Sequence, residues 1–422
     1  MNSTPKQAYI RQMFIISMLF FVFGFVTWLN GTLIPFLQIA CELTENQALL
    51  VTFAFYMAYF VLAIPSSAIL QKTGFKNGMA LGLVVMAVGS LIFIPAAQSR
   101  AFGLFLTGLF IQGAGLALLQ TASNPYAAII GPMESAAKRI SIMGICNKIA
   151  GAISPLVLGA IVLKNAGAIE SQLAVVSSEI ERTALLDELA SKVIMPYVIM
   201  AVVLVVLAFL IRKSSLPEVE AEEDDVNDAV AVKKKSVLAH PHLVLGVLCL
   251  FLYVGVEVMA GDVIGNYGRA MNMSLDETKY FTSLTLIAML IGYVIGILTI
   301  PKYISQQTSL KLAAILGVIF TLGAYFSDGY TAITFIALLG IANAPMWPAI
   351  FPLAINKLGR FTKIGSALLV MGIAGGAILP QIYGMLKSHL NMENNVAFLI
   401  VMLPCYLYIL YYGMKGYKSG LK

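Results

Sequence analysis

Glu257 and Asp262 stand in the run GVEVMAGDVIGNYG, residues 255–268, which is otherwise mostly apolar or small. A carboxylate at the centre of a bilayer-spanning helix costs about 2.5–3.5 kcal/mol on insertion scales, so it is kept where it meets a cavity, a partner or an ion. Five residues amount to about 140° of helical rotation, so a straight helix aims the two carboxylates apart. Gly255, Gly261, Gly265 and Gly268 weaken the helix, and a local break would bring the carboxylates together or expose backbone carbonyls to an ion. Asn266 follows Asp262 by one turn on the same face. Asp262 and Asn266 are therefore expected to share a cation site, with Glu257 facing a bound ligand or a neighbouring helix. The competing reading is a plain ion pair between one carboxylate and a base such as Lys148.

The elements that must carry these groups follow from composition. Of 422 residues, 59% are hydrophobic and 11% charged, and the mean hydropathy is +0.87. Such a chain prefers lipid to water. Apolar runs long enough to cross the hydrocarbon core predict twelve spans, at about 10–39, 47–71, 77–97, 101–130, 139–163, 195–212, 242–271, 275–301, 309–326, 330–356, 363–387 and 393–415. An even number places both termini on one side. Lys72, Lys76, Lys138, Arg139, Lys233, Lys234, Lys235, Lys302, Lys357 and Arg360 fall on that side, so the positive-inside bias makes both termini cytoplasmic. The formal charge of +6 is thus membrane topology and not a nucleic-acid footprint. The first apolar run is too long for a signal-peptide core and reads as a retained helix. Cys41, Cys146, Cys249 and Cys405 are scattered without metal-ligand spacing.

Residues 213–241 break the hydropathy with an acidic run, EVEAEEDDVND, followed by KKK. They read as a cytoplasmic linker between a bundle over 1–212 and a second over 242–422. The two halves repeat each other. SIMGICNKIAGAISPLVLG and SALLVMGIAGGAILPQIYG are 225 positions apart, which pairs Ser141 with Ser366, Pro155 with Pro380 and Gly159 with Gly384. The fold class expected is an all-α membrane protein, two pseudo-symmetric six-helix bundles with a ligand site between them near the midplane, as in major facilitator transporters. Residues 164–194 predict an amphipathic surface helix, with a lid over the outer mouth as the sharper alternative.

The remaining polar residues of the spans are mostly neutral. Thr27, Trp28 and Asn30 lie in the first, Gln112, Gln120, Asn124 and Tyr126 in the fourth, Asn147 and Lys148 in the fifth, Asn343 and Trp347 in the tenth, and Gln381 in the eleventh. Amides both donate and accept, and indoles stack on apolar ring faces, which suits a neutral hydroxylated ring. That combination points to a sugar. The tryptophans, Trp28 and Trp347, are the only two in the chain and fall within spans rather than at the interfaces where Trp is enriched. Pro345 and Pro348 free carbonyls that must line a cavity or meet a neighbour. Nothing supports an enzyme: His240, His242 and His389 have no nucleophile or metal partner, no phosphate-binding loop occurs, and no cofactor is implied.

FGFVTWLNGTLIP, GLALLQTASNPYAAIIGP, RISIMGICNKIAGA and FLYVGVEVMAGD closely resemble the fucose, galactose and glucose cation symporter family of the major facilitators. The resemblance covers nearly the whole chain and is nearest to bacterial transporters of glucose, galactose, mannose or N-acetylglucosamine. It implies import of a hexose by symport at a bacterial inner membrane, by a monomer. Fucose permease carries an aspartate just after the first-helix asparagine and a glutamate before Thr-Ala-x-Asn-Pro. This chain has Gly31 and Gln120 there. Aligning Gly24 with Gly255 sets Gly31 opposite Asp262, so the acidic group is expected to have moved to the symmetry-related place in the other half. Loss of both proton carriers tips the expectation toward Na+ at Asp262, over H+. Sugar is then expected on Trp28, Asn30, Gln112, Gln120, Asn124, Asn147, Lys148, Glu257, Asn343, Trp347 and Gln381, and the cation on Asp262, Glu257 and Asn266. The rivals are a drug or metabolite exporter on the same fold and a transporter-like sugar sensor signalling through 213–241.

Overall fold

The computed structural model describes residues 5–129, 136–164, 166–214, 216, 236–300, 302–358 and 361–421. Residues 217–235, which hold most of the expected linker, lie outside the described residues. Among the described residues, twelve helices are long and apolar enough to cross a membrane, in the order expected. We number them as spans 1 to 12: Tyr9–Ala40, Glu45–Leu70, Lys72–Ser99, Phe102–Ser123, Ile142–Val162, Glu179–Lys213, Pro241–Gly261, Leu275–Thr299, Gln306–Tyr325, Gly329–Ile355, Ile364–Ser388 and Asn394–Met414. The chain is therefore a multi-pass membrane protein. Side chains such as Phe14, Ile64, Val202, Val206, Leu284 and Leu298 are exposed on the outside of the helices, where lipid is the solvent.

Local chemistry starts and stops these helices. Span 2 opens with a capping box in which Thr44 and Gln47 satisfy each other's backbone N–H groups, and span 8 opens with the same device from Ser274 and Glu277. Spans 2 and 3 run together through Gly74, whose φ of 75° turns the chain where a side chain would be strained. In span 10, Pro352 cannot bond back to the carbonyl of Pro348, and the Gln306 side chain fills the gap by donating to that oxygen at 2.5 Å. The proline-freed carbonyl thus meets a neighbour.

Close approaches between spans are made through glycine. Span 11 reaches span 7 at Gly375, where a Cβ would run into the carbonyl of Phe251. The repeat seen in the sequence has a counterpart in space. Gly159 of span 5 faces Tyr280 and Lys279 at the start of span 8, and Gly384 of span 11 faces Asn46 at the start of span 2. The two halves accordingly meet along span 5 against span 8 and span 2 against span 11.

On the face opposite the termini the halves are also clasped by charge. Glu45 of span 2 pairs with Lys387 of span 11, and Glu170 pairs with Arg269. The 164–194 segment forms two helices, Ala166–Val175 and Glu179–Ser191. The second is held to the first half by Arg100 with Asp187 and by Arg182 with Glu42. The first helix sends Glu170 to the second half, and Gly167 lies against Asp276 there. In place of the single surface helix expected from the sequence there are two helices, the second leading into span 6, and between them they carry ion pairs to both halves.

Gly375→Ala should force spans 7 and 11 apart and lower the unfolding temperature of the detergent-purified protein, at an overpacking cost of about 1–3 kcal/mol. Gly296→Ala, where a Cβ meets nothing within 4 Å, should leave it unchanged. Equal effects of the two would refute the packing account.

Candidate functional site

Span 1 is interrupted within its length, and span 7 continues beyond Gly261, across a break, into a short further helix, Ile264–Ala270. The helix of span 1 lapses over Trp28 and Leu29 and resumes at Asn30, and that of span 7 ends at Gly261 and resumes at Ile264. The expected break in span 7 is present, with Asp262 at the break itself. Two of the carbonyls beside it are met by span 8. Thr282 Oγ1 donates to Gly261 O at 2.8 Å and Thr285 Oγ1 to Ala260 O at 2.7 Å, so two hydroxyls of span 8 take up those oxygens. Gly261 O and Ala260 O, among the carbonyls that such a break was expected to offer a cation, thus each already accept a hydrogen bond from span 8.

Asp262 is fully buried at 0% exposure. Its Oδ2 accepts a hydrogen bond from the Tyr56 hydroxyl of span 2 at 3.0 Å, while Oδ1 has no hydrogen-bond partner. The Gly31 backbone lies against the same carboxyl, so the two positions paired by the internal repeat do meet in space. A side chain at position 31 has no room. Its Cβ would strike the hydroxyl of Thr282, the group that caps Gly261. Glycine in span 1 and aspartate in span 7 are therefore two sides of one packing solution.

Glu257 is occupied differently. Lys148 of span 5 donates to its Oε1 at 2.9 Å, with both side chains largely buried, and the same ammonium sits 4.5 Å from the centre of the Trp28 ring. The plain ion-pair reading therefore holds for Glu257 and not for Asp262. Trp28 is itself enclosed by Gly151 of span 5 and Gly261 of span 7, each too close to its ring to carry a Cβ. Ala152, Leu286, Met289 and Ala344 complete its surroundings. One indole thus packs against both halves.

The other residues expected at the site divide into those at the centre and those spent elsewhere. Asn30 is buried with neither amide atom partnered. Gln120 donates to the Tyr59 hydroxyl at 3.1 Å, and Asn147 is half-buried and reaches Phe20 O at 3.4 Å. Trp347 is half-buried, stacked on Phe351 and tilted against Tyr253. The Gln381 amide nitrogen has no partner. Asn343 accepts from the Tyr406 hydroxyl at 2.8 Å, with its nitrogen free. Gln112 is a correction: it donates to Ser90 at 2.8 Å between spans 3 and 4, inside the first half and buried, because one amide and one hydroxyl satisfy each other where those helices touch. The Asn124 side chain lies outside the described residues.

Asn266 is also placed differently from the expectation. It lies one turn beyond Asp262, but its amide atoms are unpartnered and it lines a cavity of about 170 Å³ with Gln38, Glu45, Arg269 and Ala270, near the bridged face. Sequence reasoning missed Tyr56, Tyr59, Thr282, Thr285 and the clasping charges. Tyr56 and Tyr59 recur at helical spacing on span 2, but hydroxyls in an apolar helix are common, and only the fold aims one at Asp262.

Comparisons with known proteins bear on the family and the fold. The Major Facilitator Superfamily profile matches residues 16–385. A glucose/galactose transporter of Brucella abortus is 33% identical over 96% of this chain and 93% of that protein. A putative glucose/galactose transporter of Helicobacter pylori is 31% identical over 95% of each. The crystal structure of the Escherichia coli fucose:proton symporter FucP superposes with a TM-score of 0.73 at 26% identity, covering 96% of this chain and 98% of that one. With its helices, its repeat and its site between the halves accounted for together, the chain belongs to the Major Facilitator Superfamily.

Proposed function

We propose that this protein imports a hexose of the glucose, galactose, mannose or N-acetylglucosamine type by cation symport through alternating access of its two halves. It does so as a monomer in a bacterial inner membrane with both termini in the cytoplasm. The observation that carries the reading is Asp262, a fully buried carboxylate with one free oxygen, held where the broken spans 1 and 7 meet. A bare carboxylate there is costly, and a cation removes the cost. The relatives reported above, named for glucose/galactose transport and for fucose:proton symport, support sugar as cargo.

Na+ is the cation favoured over H+. Asn30 and Thr32, which flank Gly31, bring further buried side-chain oxygens without hydrogen-bond partners to span 1, where its backbone lies against the Asp262 carboxyl, and hard oxygen ligands of this kind suit an alkali cation. Bound Na+ would supply one positive charge, and Asp262 would hold it. Sugar recognition falls to Trp28, Asn30, Gln120, Asn147, Lys148, Glu257, Trp347 and Gln381. The amides meet hydroxyls, while Lys148 and Glu257 exchange each other for the ring's oxygens. Coupling is then a difference in cation affinity between the two conformations, and it is reciprocal: cation tightens sugar binding and sugar tightens cation binding.

The reading is tested with labelled glucose, galactose, mannose, fucose and N-acetylglucosamine in proteoliposomes under an imposed Na+ or H+ gradient. Accumulation under the Na+ gradient alone is the expected result, and accumulation under H+ alone would make Asp262 a proton carrier instead. Asp262→Asn should abolish gradient-driven accumulation while retaining exchange; full accumulation in this variant would remove Asp262 from the mechanism.

Lys148→Met leaves Glu257 as an uncompensated buried charge, an expected cost of about 3–5 kcal/mol. Adding Glu257→Gln should restore most of the lost thermal stability without restoring sugar binding. A double variant no more stable than the single one would show that the pair does not act as a pair.

A further inference from the structure

Tyr56 belongs to the first half, and what it touches at its far end belongs to the second. Its ring leans on span 11 at Gly376, where a Cβ would lie 3.1 Å from the ring's Cγ. Its hydroxyl reaches span 7 and donates to Asp262 Oδ2 at 3.0 Å. Both residues are buried, at 3% and 0% exposure. The charged groups acting on Asp262 from nearby are Glu257 of its own span and Lys148 of span 5, and Lys148 is already engaged by Glu257. Among the described residues, the phenolic proton is thus the side-chain hydrogen bond available to this carboxylate, beside the Gly31 backbone that lies against it.

A carboxylate that holds Na+ or a proton has its charge compensated and no longer depends on a donated hydrogen bond. Without one, a buried carboxylate needs a donor or stays uncompensated, which opposes closure of the halves over it. Cation and phenolic proton are therefore alternative means of stabilising the same buried carboxylate, the proton at Oδ2 and the cation at the free Oδ1.

We propose that Tyr56 is a positioning residue for cation coupling: it satisfies Asp262 after the cation has left, so that the unloaded carrier can close and return. The inference rests on Asp262 being the cation site. A symporter must reorient when fully loaded and when empty, and must resist reorienting with only one ligand aboard. The Tyr56 bond supplies the second permitted state, because it closes span 2 onto span 7 with the carboxylate provided for. The Lys148 bond to Glu257 has the same form one level away, a donor of the first half on an acid of span 7. Both acids of span 7 are thereby answered from across the interface.

Tyr56→Phe keeps the ring on Gly376 and removes the hydroxyl alone. In proteoliposomes it is compared with the parent protein in two modes: net uptake into sugar-free vesicles, which needs return of the unloaded carrier, and counterflow with sugar and cation saturating on both sides, which does not. Uptake is also titrated with Na+ at fixed pH and with pH at fixed Na+. Losing one hydrogen bond to a charged group should slow net uptake about tenfold and lower the half-saturating cation concentration several-fold. Counterflow should stay within about twofold, which also shows that the variant is folded. In an Asp262→Asn background the substitution should add nothing to the loss. A parallel fall of counterflow and net uptake, or an unchanged net uptake and cation dependence, would overturn the proposal. The two readings fail separately. Full accumulation by Asp262→Asn defeats the cation assignment, whereas loss of accumulation there with a silent Tyr56→Phe defeats only the role of Tyr56.

Discussion

A carboxylate in the middle of a membrane protein must be answered by something, and the core of this molecule is arranged around that requirement. Asp262 sits where two interrupted spans meet, with one oxygen bonded to Tyr56 and the other unpartnered. Glu257, a turn and a half away on the same span, is answered by Lys148. Both answering groups come from the opposite half. The charges of span 7 are consequently not a local matter of one helix. They tie the two bundles to each other through the partners that two acids find across the interface.

The second constraint is backbone. An interrupted span frees carbonyls, and hydrocarbon offers them nothing. Span 8 resolves this for span 7 with Thr282 and Thr285, and span 9 resolves it for the proline-bearing span 10 with Gln306. The solution has a consequence in span 1. Because Thr282 stands beside Gly261, position 31 has no space for a side chain. The halves are related by a repeat in sequence, yet the chemistry at equivalent places is complementary: small on one side, charged on the other. Trp28 shows the same logic, since one large ring needs Gly151 in its own half and Gly261 in the other.

The sequence by itself determined the class of molecule, because hydropathy and span length are properties of local composition that lipid reads directly. Twelve spans, their order and the presence of Glu257 and Asp262 in an otherwise apolar stretch were all legible there. So was the equivalence of Gly159 and Gly384, which reappear on matching helix contacts between the halves. Only the tertiary structure decided which acid pairs with what. A helical wheel gives the direction of Asp262 and Asn266, but not that the helix stops between them, that Asn266 lines a separate cavity, or that Gln112 is consumed by Ser90. Tyr56 and Asp262 are 206 residues apart, and no periodicity along the chain connects them. Their contact exists because spans 2, 7 and 11 pack against one another, and that packing is set by shape at glycines and rings distributed over the whole sequence.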